Sequence, residues 1–350
     1  MKLTAILFYP LSLLYSLVTC FRNLLFDAGL FSSVSFPFPV ISVGNLSQGG
    51  TGKTPHIEFL VKLLSEKYNV AVLSRGYGRK THGFLVADET SGYQQIGDEP
   101  LQYYNKFKKI KVAVCESRVK GIRKLKTLFP EISVVLLDDA FQHRWVKPGL
   151  NILLTDFRFL YTDDHIFPSG KLRESKSGAK RADIIVVTKT DKVLPKMLRN
   201  HIVDDIKPKK YQDVLFSRMG YKDWVKLPDS PEINSSKEIR NILLVTGIAN
   251  PYPLEDHLKT NGYNVELLKF ADHHKFTSTD LETIAKAFDK IISASKLILT
   301  TEKDAMRFRD PEIELAIQKF PVYYIPIETV FHNSDLALLS KRINEFIKGF

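Results

Sequence analysis

A short stretch near the N-terminus has the residues needed to bind phosphate. The segment ISVGNLSQGGTGKTP, residues 41–55, reads as a strand, a glycine-rich turn and the start of a helix. Such a turn points successive backbone N–H groups at phosphate oxygens, and the helix N-terminus adds a positive dipole. Lys53 could reach the β- and γ-phosphates, and Thr54 could supply a hydroxyl ligand to Mg²⁺. The usual motif begins with glycine, whereas Ser47 stands there in this chain.

The flanking strand and amphipathic helix are both present, so the sequence predicts a nucleotide site in this loop. The alternative is a tight strand-to-helix turn with an incidental lysine. The predicted nucleotide-binding residues are contiguous: Ser47, Gln48, Gly49, Gly50, Thr51, Gly52, Lys53 and Thr54.

Two carboxylates at the end of a later apolar run are candidate partners of the metal ion. The run ISVVLLDD ends at Asp138 and Asp139. Alternation along a strand puts these side chains on opposite faces, so the sequence leaves open which of them faces the metal. Asp138 is the first choice, with Thr54 as the other metal ligand. A solvated acidic turn is the alternative.

Three further segments have structural explanations that spacing alone cannot exclude. TKTD, residues 188–191, resembles the base-reading segment of guanine-nucleotide proteins but has Thr for Asn, so a strand-end turn is favoured. In QIGDEP, Asp98 and Glu99 could cap a helix that begins at Pro100. In ADHHKF, His273 and His274 could be a pair of surface histidines.

The elements that must position these residues follow an alternating pattern. Short Val/Ile/Leu runs alternate with helical segments, which predicts an α/β fold with a parallel sheet covered on both faces. Ligands of such sheets lie beyond the carboxyl ends of the strands, where these motifs fall. We predict a membrane-associated helix in residues 1–30, a phosphate-loop domain in 31–215 and a smaller α/β domain in 216–350, with a linker-like stretch at 226–241.

Composition narrows the class of protein. The chain has 350 residues, 44% of them apolar, and a net charge of +11, which suits nucleic acid, an anionic membrane or a phosphorylated substrate. Two cysteines, Cys20 and Cys115, make no disulfide framework, and no Cys/His spacing indicates zinc.

The N-terminus favours the membrane. Residues 3–21 carry no charge, and as a helix they would span roughly 28 Å. A signal peptide would need a better cleavage site, and a buried helix would rarely be so apolar at a terminus. The sequence leaves open whether the segment spans the bilayer or lies on it, where anionic lipid would attract the basic charge.

Taken together, the motifs resemble those of one family. GNLSQGGTGKTP, SRGYGR, GDEP, CESR, DDAFQHR, PSGKLRE, VTGIANP, FADHHKF and TEKDAMR occur here in the order found in tetraacyldisaccharide 4'-kinases, the membrane-bound kinases of lipid A synthesis. The resemblance covers nearly the whole chain, and serine at the first loop position fits the family.

The resemblance implies an ATP- and Mg²⁺-dependent phosphoryl transfer at the cytoplasmic face of the inner membrane. The acceptor would be the 4'-hydroxyl of a tetraacylated glucosamine disaccharide 1-phosphate, and the product would be lipid IVA. No nucleic acid and no obligate protein partner are implied. The resemblance assigns the general base to Asp98, paired with His273 in preference to His274, so closure of two domains would assemble the site. Candidate substrate contacts are Arg118, His143, Arg173 and Glu174. The alternative for Arg118, Arg173 and Glu174 is surface ion pairing, and for His143 it is positioning of the acidic loop.

Two rival functions remain at this point. A soluble phosphate-loop GTPase or metal-insertion switch protein predicts guanine preference and no use for the apolar segment. A non-catalytic membrane adaptor predicts tolerance of changes at Asp98. The missing Asn of TKTD and the apolar N-terminus disfavour the first.

Overall fold

The protein is described here from a computed structural model that covers residues 8–233, 239–293, 295–310 and 312–350. Part of the predicted apolar segment, residues 3–7, and part of the predicted linker, residues 234–238, lie outside the described residues. The strands are β1 (Val40–Asn45), β2 (Val70–Ser74), β3 (Leu85–Val86), β4 (Lys111–Val114), β5 (Val134–Asp138), β6 (Leu150–Asp156), β7 (Ile184–Thr188), β8 (Asp213–Tyr221), β9 (Val225–Lys226), β10 (Asn241–Thr246), β11 (Asn264–Lys269), β12 (Lys296–Thr301), β13 (Val322–Ile325) and β14 (Ile327–Phe331).

Helices connect most of these strands. They are α1 (Tyr9–Asp27), α2 (Lys53–Leu64), α3 (Tyr93–Ile96), α4 (Asp98–Lys106), α5 (Arg118–Leu128), α6 (Lys196–Ile206), α7 (Tyr252–Thr260), α8 (Ser278–Lys290), α9 (Glu302–Phe308), α10 (Glu314–Ile317) and α11 (Asn333–Lys348), with a 3₁₀ helix at Lys176–Arg181.

The larger sheet is mainly parallel, which confirms the predicted α/β architecture. Its nine strands lie in the order β14-β8-β7-β6-β1-β5-β2-β4-β3, and the two edge strands, β3 and β14, pair antiparallel with their neighbours. Strand β1 lies between β5 and β6, with Val40 opposite Val135 and Ile41 opposite Leu150. Strands β1, β2, β5 and β7 are buried along their whole length, as expected when helices cover both faces of a parallel sheet.

A smaller sheet of five strands, in the order β11-β10-β12-β13-β9, forms the second unit. One face of β10 packs Leu243 and Val245 into the same hydrophobic cluster as Ile41 and Val43 of the larger sheet. The opposite face packs Ile242 and Leu244 into a separate cluster. A continuous apolar core therefore joins the two units.

The predicted domain boundary between residues 215 and 216 falls inside strand β8, so the sheets divide the chain differently. The chain leaves the larger sheet after β8 and returns to it at β14, where Val330 pairs with Arg218. Helix α11 then packs Leu339 and Ile343 into the core that the larger sheet shares. A linear reading of strand and helix runs cannot detect such a return, because strand pairing depends on contacts more than 100 residues apart.

Helix α1 has one anchored side and one exposed apolar side. Ser12 Oγ donates to Ser169 Oγ at 2.8 Å, Tyr15 Oη donates to the Arg173 carbonyl at 3.1 Å, and Asn23 Nδ2 donates to Glu174 Oε2 at 2.7 Å. Its exposed apolar side chains are Leu11, Leu13, Leu14, Leu17, Val18, Phe21 and Leu24. Within the described ranges, no helix combines the length and the hydropathy that crossing a bilayer requires.

Gly44, next to the last residue of β1, permits a close approach of the neighbouring loop. A Cβ at this position would lie 2.6 Å from Phe141 Cβ and 3.0 Å from Phe141 N. We expect Gly44→Ala to destabilise the fold by about 1 to 3 kcal/mol, because both elements are packed and cannot move apart freely. Gly92→Ala is the control, since no described atom lies within 4 Å of a Cβ there. Equal denaturation midpoints for the two variants would contradict this packing.

Candidate functional site

The loop between β1 and α2 has the backbone conformation that its glycines allow. Gly49 has φ +109° and Gly52 has φ +86°, both unfavourable for residues with a Cβ. A Cβ at Gly49 or Gly50 would have no described atom within 4 Å, so one side of the loop is open. Asn45 braces the turn: its Nδ2 donates to Thr51 Oγ1 at 2.8 Å, and its Oδ1 accepts from Lys53 Nζ at 3.4 Å.

Neighbouring strands support the same loop from beneath. Thr188 Oγ1, at the end of β7, donates to the Thr51 carbonyl at 2.9 Å. The His56 ring lies 2.7 Å from the Gly52 carbonyl and 3.0 Å from Ser217 Oγ. Burial lowers the pKa of His56 to about 4, against a smaller opposing effect of the Gly52 carbonyl. The His56 ring is therefore neutral at physiological pH. Thr188 of TKTD supports the loop by its hydrogen bond, as expected for a residue in a strand-end turn.

Ser47 lies outside the tight part of the turn. It forms an antiparallel bridge with Leu172, and Gln48 N donates to the Lys171 carbonyl at 2.7 Å. Ser47 Oγ donates to Asp164 Oδ2 at 3.4 Å. The entrance of the loop is thus paired to the segment that carries Arg173, whose N–H donates to the Leu46 carbonyl. Serine is compatible with this position because no left-handed conformation is required there.

The two aspartates after β5 have different environments. Asp138 is fully buried; its Oδ2 accepts from Ser74 Oγ at 3.1 Å, and its Oδ1 has no partner among the described residues. Burial, together with the charges of Glu99 and Asp139, raises the pKa of Asp138 to about 7 despite nearby Lys53. A buried, unpaired carboxylate oxygen that resists ionisation is the environment that a divalent cation would stabilise.

Asp139, in contrast, is already neutralised by cations. Arg173 Nη1 donates to both of its carboxylate oxygens at 2.9 Å, and Lys53 Nζ lies 3.6 Å from Oδ1. Burial opposes ionisation, but Lys53 and Arg173 outweigh it and lower the pKa of Asp139. Of the pair, Asp138 therefore has the oxygen available for a metal ion.

A metal ion here would need ligands beyond the protein. In the ranges that the structure covers, no three His, Cys, Asp or Glu side chains are grouped so as to hold one. Thr54 lies in the first turn of α2 and is partly exposed. Mg²⁺ commonly keeps water and phosphate oxygens beside one or two protein ligands, so Asp138 and Thr54 fit such a site.

Two of the predicted substrate contacts are buried and hydrogen-bonded to other residues of the site. Arg118 is 3% exposed, and its guanidinium donates to the carbonyls of Asp138 and Asp139 at 3.3 and 3.4 Å. Glu174 is fully buried and accepts from Asn23, Gln142 and Arg181. Both side chains are buried and hydrogen-bonded within the protein, which a motif does not reveal, and their contact with substrate stays a prediction.

His143 lies beside the acidic turn. Its Nε2 accepts from the Arg118 backbone N–H at 3.3 Å. Burial lowers its pKa to about 4, assisted by the charges of Arg118, Arg75 and Arg22. The ring is therefore neutral, and it is partly buried beside these arginines.

A second cluster of charges joins the two units. Asp98, at the start of α4, contacts three groups from the smaller unit: His273 in the loop after β11, and Lys303 and Arg307 on α9. His273 Nδ1 lies 3.2 Å and Lys303 Nζ 3.8 Å from Asp98 Oδ2, which also accepts from Arg307 Nη2.

His274 instead pairs with Asp280 at 2.9 Å and stacks on Phe270. The histidine at Asp98 is thus His273.

The charge state of Asp98 depends on the smaller unit. Asp98 is 6% exposed, and burial alone would raise its pKa. The bond to His273 and the charges of Lys303 and Arg307 outweigh burial, so the pKa of Asp98 lies well below its usual range. Asp98 is therefore a carboxylate at physiological pH.

Sequence reasoning did not single out Lys303 and Arg307. They are four residues apart on α9, so they share one face of that helix. Arg307 also donates to Asp304 Oδ1 at 2.7 Å and to the Gly247 carbonyl at 3.1 Å. The spacing of the two residues can be read from TEKDAMR, but their contact with Asp98 of the larger unit cannot.

Comparison with known proteins identifies the family. The family model described as LpxK, tetraacyldisaccharide-1-P 4'-kinase, matches residues 4–344. The chain belongs to this family. A tetraacyldisaccharide 4'-kinase of Flavobacterium johnsoniae is 45% identical over 345 residues, 97% of each chain. One of Parabacteroides distasonis is 46% identical over 352 residues, 97% of this chain and 95% of the relative.

The fold agrees with that of a solved member of the tetraacyldisaccharide 4'-kinase family. A crystal structure of LpxK from Aquifex aeolicus in complex with ATP is 26% identical, with a TM-score of 0.76. The match covers 99% of this chain and all of that one. Membership of this kinase family leaves no support for the GTPase and adaptor alternatives.

The raised pKa of Asp138 predicts a pH-dependent effect on stability. In the unfolded chain an aspartate ionises near pH 3.9, whereas Asp138 in the folded protein ionises near pH 7. Asp138 therefore lowers the free energy of unfolding increasingly as the pH rises from about 4 to about 7. At pH 8 in EDTA, we expect Asp138→Asn to be more stable than the wild type by about 1 to 3 kcal/mol. The gap should shrink by pH 5.

Thermal unfolding at both pH values measures this difference. Glu131→Gln, the same carboxyl-to-amide change at an exposed position shortly before β5, is the control. A gap that is unchanged between pH 5 and pH 8 would show that Asp138 does not resist ionisation.

Proposed function

We propose that this chain transfers the γ-phosphoryl group of ATP to the 4'-hydroxyl of a tetraacylated glucosamine disaccharide 1-phosphate, giving lipid IVA. Family membership supports the reaction, and one structural observation supports the site. Glu99 ion-pairs with Lys303 at 3.3 Å, and its charge also raises the pKa of Asp138. The acceptor cluster around Asp98 thus adjoins the carboxylate proposed to hold the metal.

The donor half of the proposed site consists of the phosphate loop and the acidic pair. Residues 47–54 would bind the ATP phosphates through backbone N–H groups, and Lys53 would neutralise charge on the β- and γ-phosphates. Asp138 and Thr54 would hold Mg²⁺, which when bound offsets negative charge on the phosphates. Arg173 pairs with Asp139 more closely than Lys53 does, at 2.9 Å against 3.6 Å. Asp139 would therefore keep a partner when Lys53 turns to the phosphates.

The acceptor half centres on Asp98. A sugar hydroxyl is a weak nucleophile, and in a loose transition state it loses its proton late. Asp98 would accept that proton, and His273 would orient the carboxylate. Because cations hold the pKa of Asp98 low, its contribution comes from its position and its full ionisation more than from strong basicity.

The exposed side of α1 suits a lipid substrate. Acyl chains keep the acceptor in the bilayer, so the enzyme must work at the surface. The apolar residues of α1 would enter the interface, while the net charge of +11 would favour anionic lipid and the 1-phosphate. We therefore place the protein at the cytoplasmic face of the inner membrane, where ATP is available.

Loss of the proposed base tests this function. With ATP, Mg²⁺ and tetraacyldisaccharide 1-phosphate in detergent micelles, the wild type should form the bisphosphorylated lipid. Asp98→Ala should lower kcat at least 100-fold while ATP affinity changes less than threefold, because Asp98 lies outside the phosphate loop. Asp88→Ala, an exposed aspartate on the same unit, is the control. Near-normal turnover by Asp98→Ala would refute the base assignment, and an inactive wild type would refute the kinase function.

Membrane binding should depend on one stripe of α1. Leu14, Leu17 and Phe21 are 61, 68 and 64% exposed and lie on one side of the helix. Changing all three to Gln should reduce flotation with anionic phospholipid vesicles at least tenfold and leave ATP binding unchanged. The control variant carries Met197→Gln and Leu315→Gln, at positions outside α1 that are 87 and 79% exposed, and it should float like the wild type. Equal flotation of both variants would contradict the role of α1.

A further inference from the structure

Without nucleotide, the site contains equal numbers of carboxylates and cationic side chains. Five carboxylates and five cations lie together in the described residues of this region; they are Asp98, Glu99, Asp138, Asp139 and Asp304, and Lys53, Arg118, Arg173, Lys303 and Arg307. ATP with one Mg²⁺ brings net negative charge, and the transferred group needs neutralisation as the bond to ADP breaks. A cation that can turn from its resting partners to the phosphoryl group would add to the neutralisation that Lys53 and Mg²⁺ supply.

Three of these cations are fixed where they are. Arg118 is buried, and its guanidinium is bonded to four backbone carbonyls. Arg173 donates to both oxygens of Asp139. Arg307 has a 2% exposed side chain and is bonded to Asp304, to the Gly247 carbonyl and to Asp98. Turning any of them would leave buried polar groups without partners.

Lys303 is the cation of the smaller unit that can move. Its side chain is 22% exposed, and its ammonium lies 3.3 Å from Glu99 Oε1, 3.2 Å from His273 Nε2 and 3.8 Å from Asp98 Oδ2. These contacts spread one charge over three acceptors, and a lysine stem rotates freely. The ammonium thus lies between the proposed base and the glutamate that adjoins Asp138.

Departure of Lys303 would leave the Asp98–His273 pair intact. Lys303 approaches only Nε2 of the His273 ring, at 3.2 Å, whereas Nδ1 lies 3.2 Å from both Asp98 Oδ2 and Arg307 Nη2. The contacts on the Nδ1 side therefore do not depend on Lys303. Arg307 remains bonded to Asp98 in either case. When Lys303 leaves, the pair keeps its geometry while the carboxylate loses one neutralising charge and becomes a better proton acceptor.

We propose that Lys303 is a catalytic cation that turns from Asp98, Glu99 and His273 to the phosphoryl group as it is transferred. This inference rests on the proposed function. Lys303 forms no covalent bond: the bond from the γ-phosphorus to ADP breaks, a bond to the 4'-oxygen forms, and Asp98 takes the hydroxyl proton. The smaller unit then contributes charge to the transition state as well as His273.

Binding of a transition-state analogue separates this role from mere positioning. MgADP affinity is measured by calorimetry with and without aluminium fluoride, in micelles that carry tetraacyldisaccharide 1-phosphate. For the wild type, fluoride complexes should tighten MgADP binding at least tenfold. Lys303→Met should lose that tightening, bind MgADP alone within twofold of the wild type, and show a kcat about 100- to 1000-fold lower.

Two further variants keep the test decisive. Lys275→Met is the control, because Lys275 is 45% exposed and pairs with Glu312 away from Asp98. It should keep both turnover and tightening. Lys303→Gln retains a hydrogen-bond donor without the charge, so it serves if Lys303→Met does not fold, and it should also lose the tightening.

The outcomes distinguish the two proposals. If either Lys303 variant keeps the fluoride-dependent tightening, Lys303 is not a catalytic cation, whatever its effect on kcat. If the wild type itself shows neither turnover nor tightening, the proposed kinase function fails.

Discussion

The buried ion pair between Asp98 and Arg307 is the interaction on which the candidate site depends. The two residues are 209 positions apart and come from different units, yet both are almost fully buried. Buried charges are tolerated when each has a partner with good hydrogen bonds, and the removal of one partner leaves an unpaired charge. The pair therefore fixes α4 against α9, and this contact also brings His273 and Lys303 to Asp98.

A second set of contacts ties the donor site to the proposed membrane surface. Arg173 holds Asp139 through its side chain and accepts a hydrogen bond from Tyr15 of α1 through its carbonyl. The next residue, Glu174, accepts from Asn23 of the same helix. Two consecutive residues thus link the apolar helix to the acidic turn. A lipid headgroup held against α1 would lie near the carboxylates that are proposed to position the metal.

The sequence predicted those features whose cause is local. The phosphate loop, the acidic pair after β5 and the parallel sheet follow from residue types within a few positions of each other. The pairing of Asp98 with His273 came from the family resemblance, since spacing alone favoured structural roles. Arg307, Lys303 and the return of β14 depend on contacts across the whole chain. The burial of Arg118 and Glu174, two of the candidate substrate contacts, could not be read from their motifs.

The steady-state kinetics of Arg307→Lys test most directly whether the smaller unit organises the base. Lysine keeps the charge but cannot bond Asp98, Asp304 and the Gly247 carbonyl at once. The account predicts that kcat falls about 100-fold while KM for ATP stays within twofold, because the phosphate loop is untouched. A kcat close to that of the wild type would show that Asp98 does not need this ion pair.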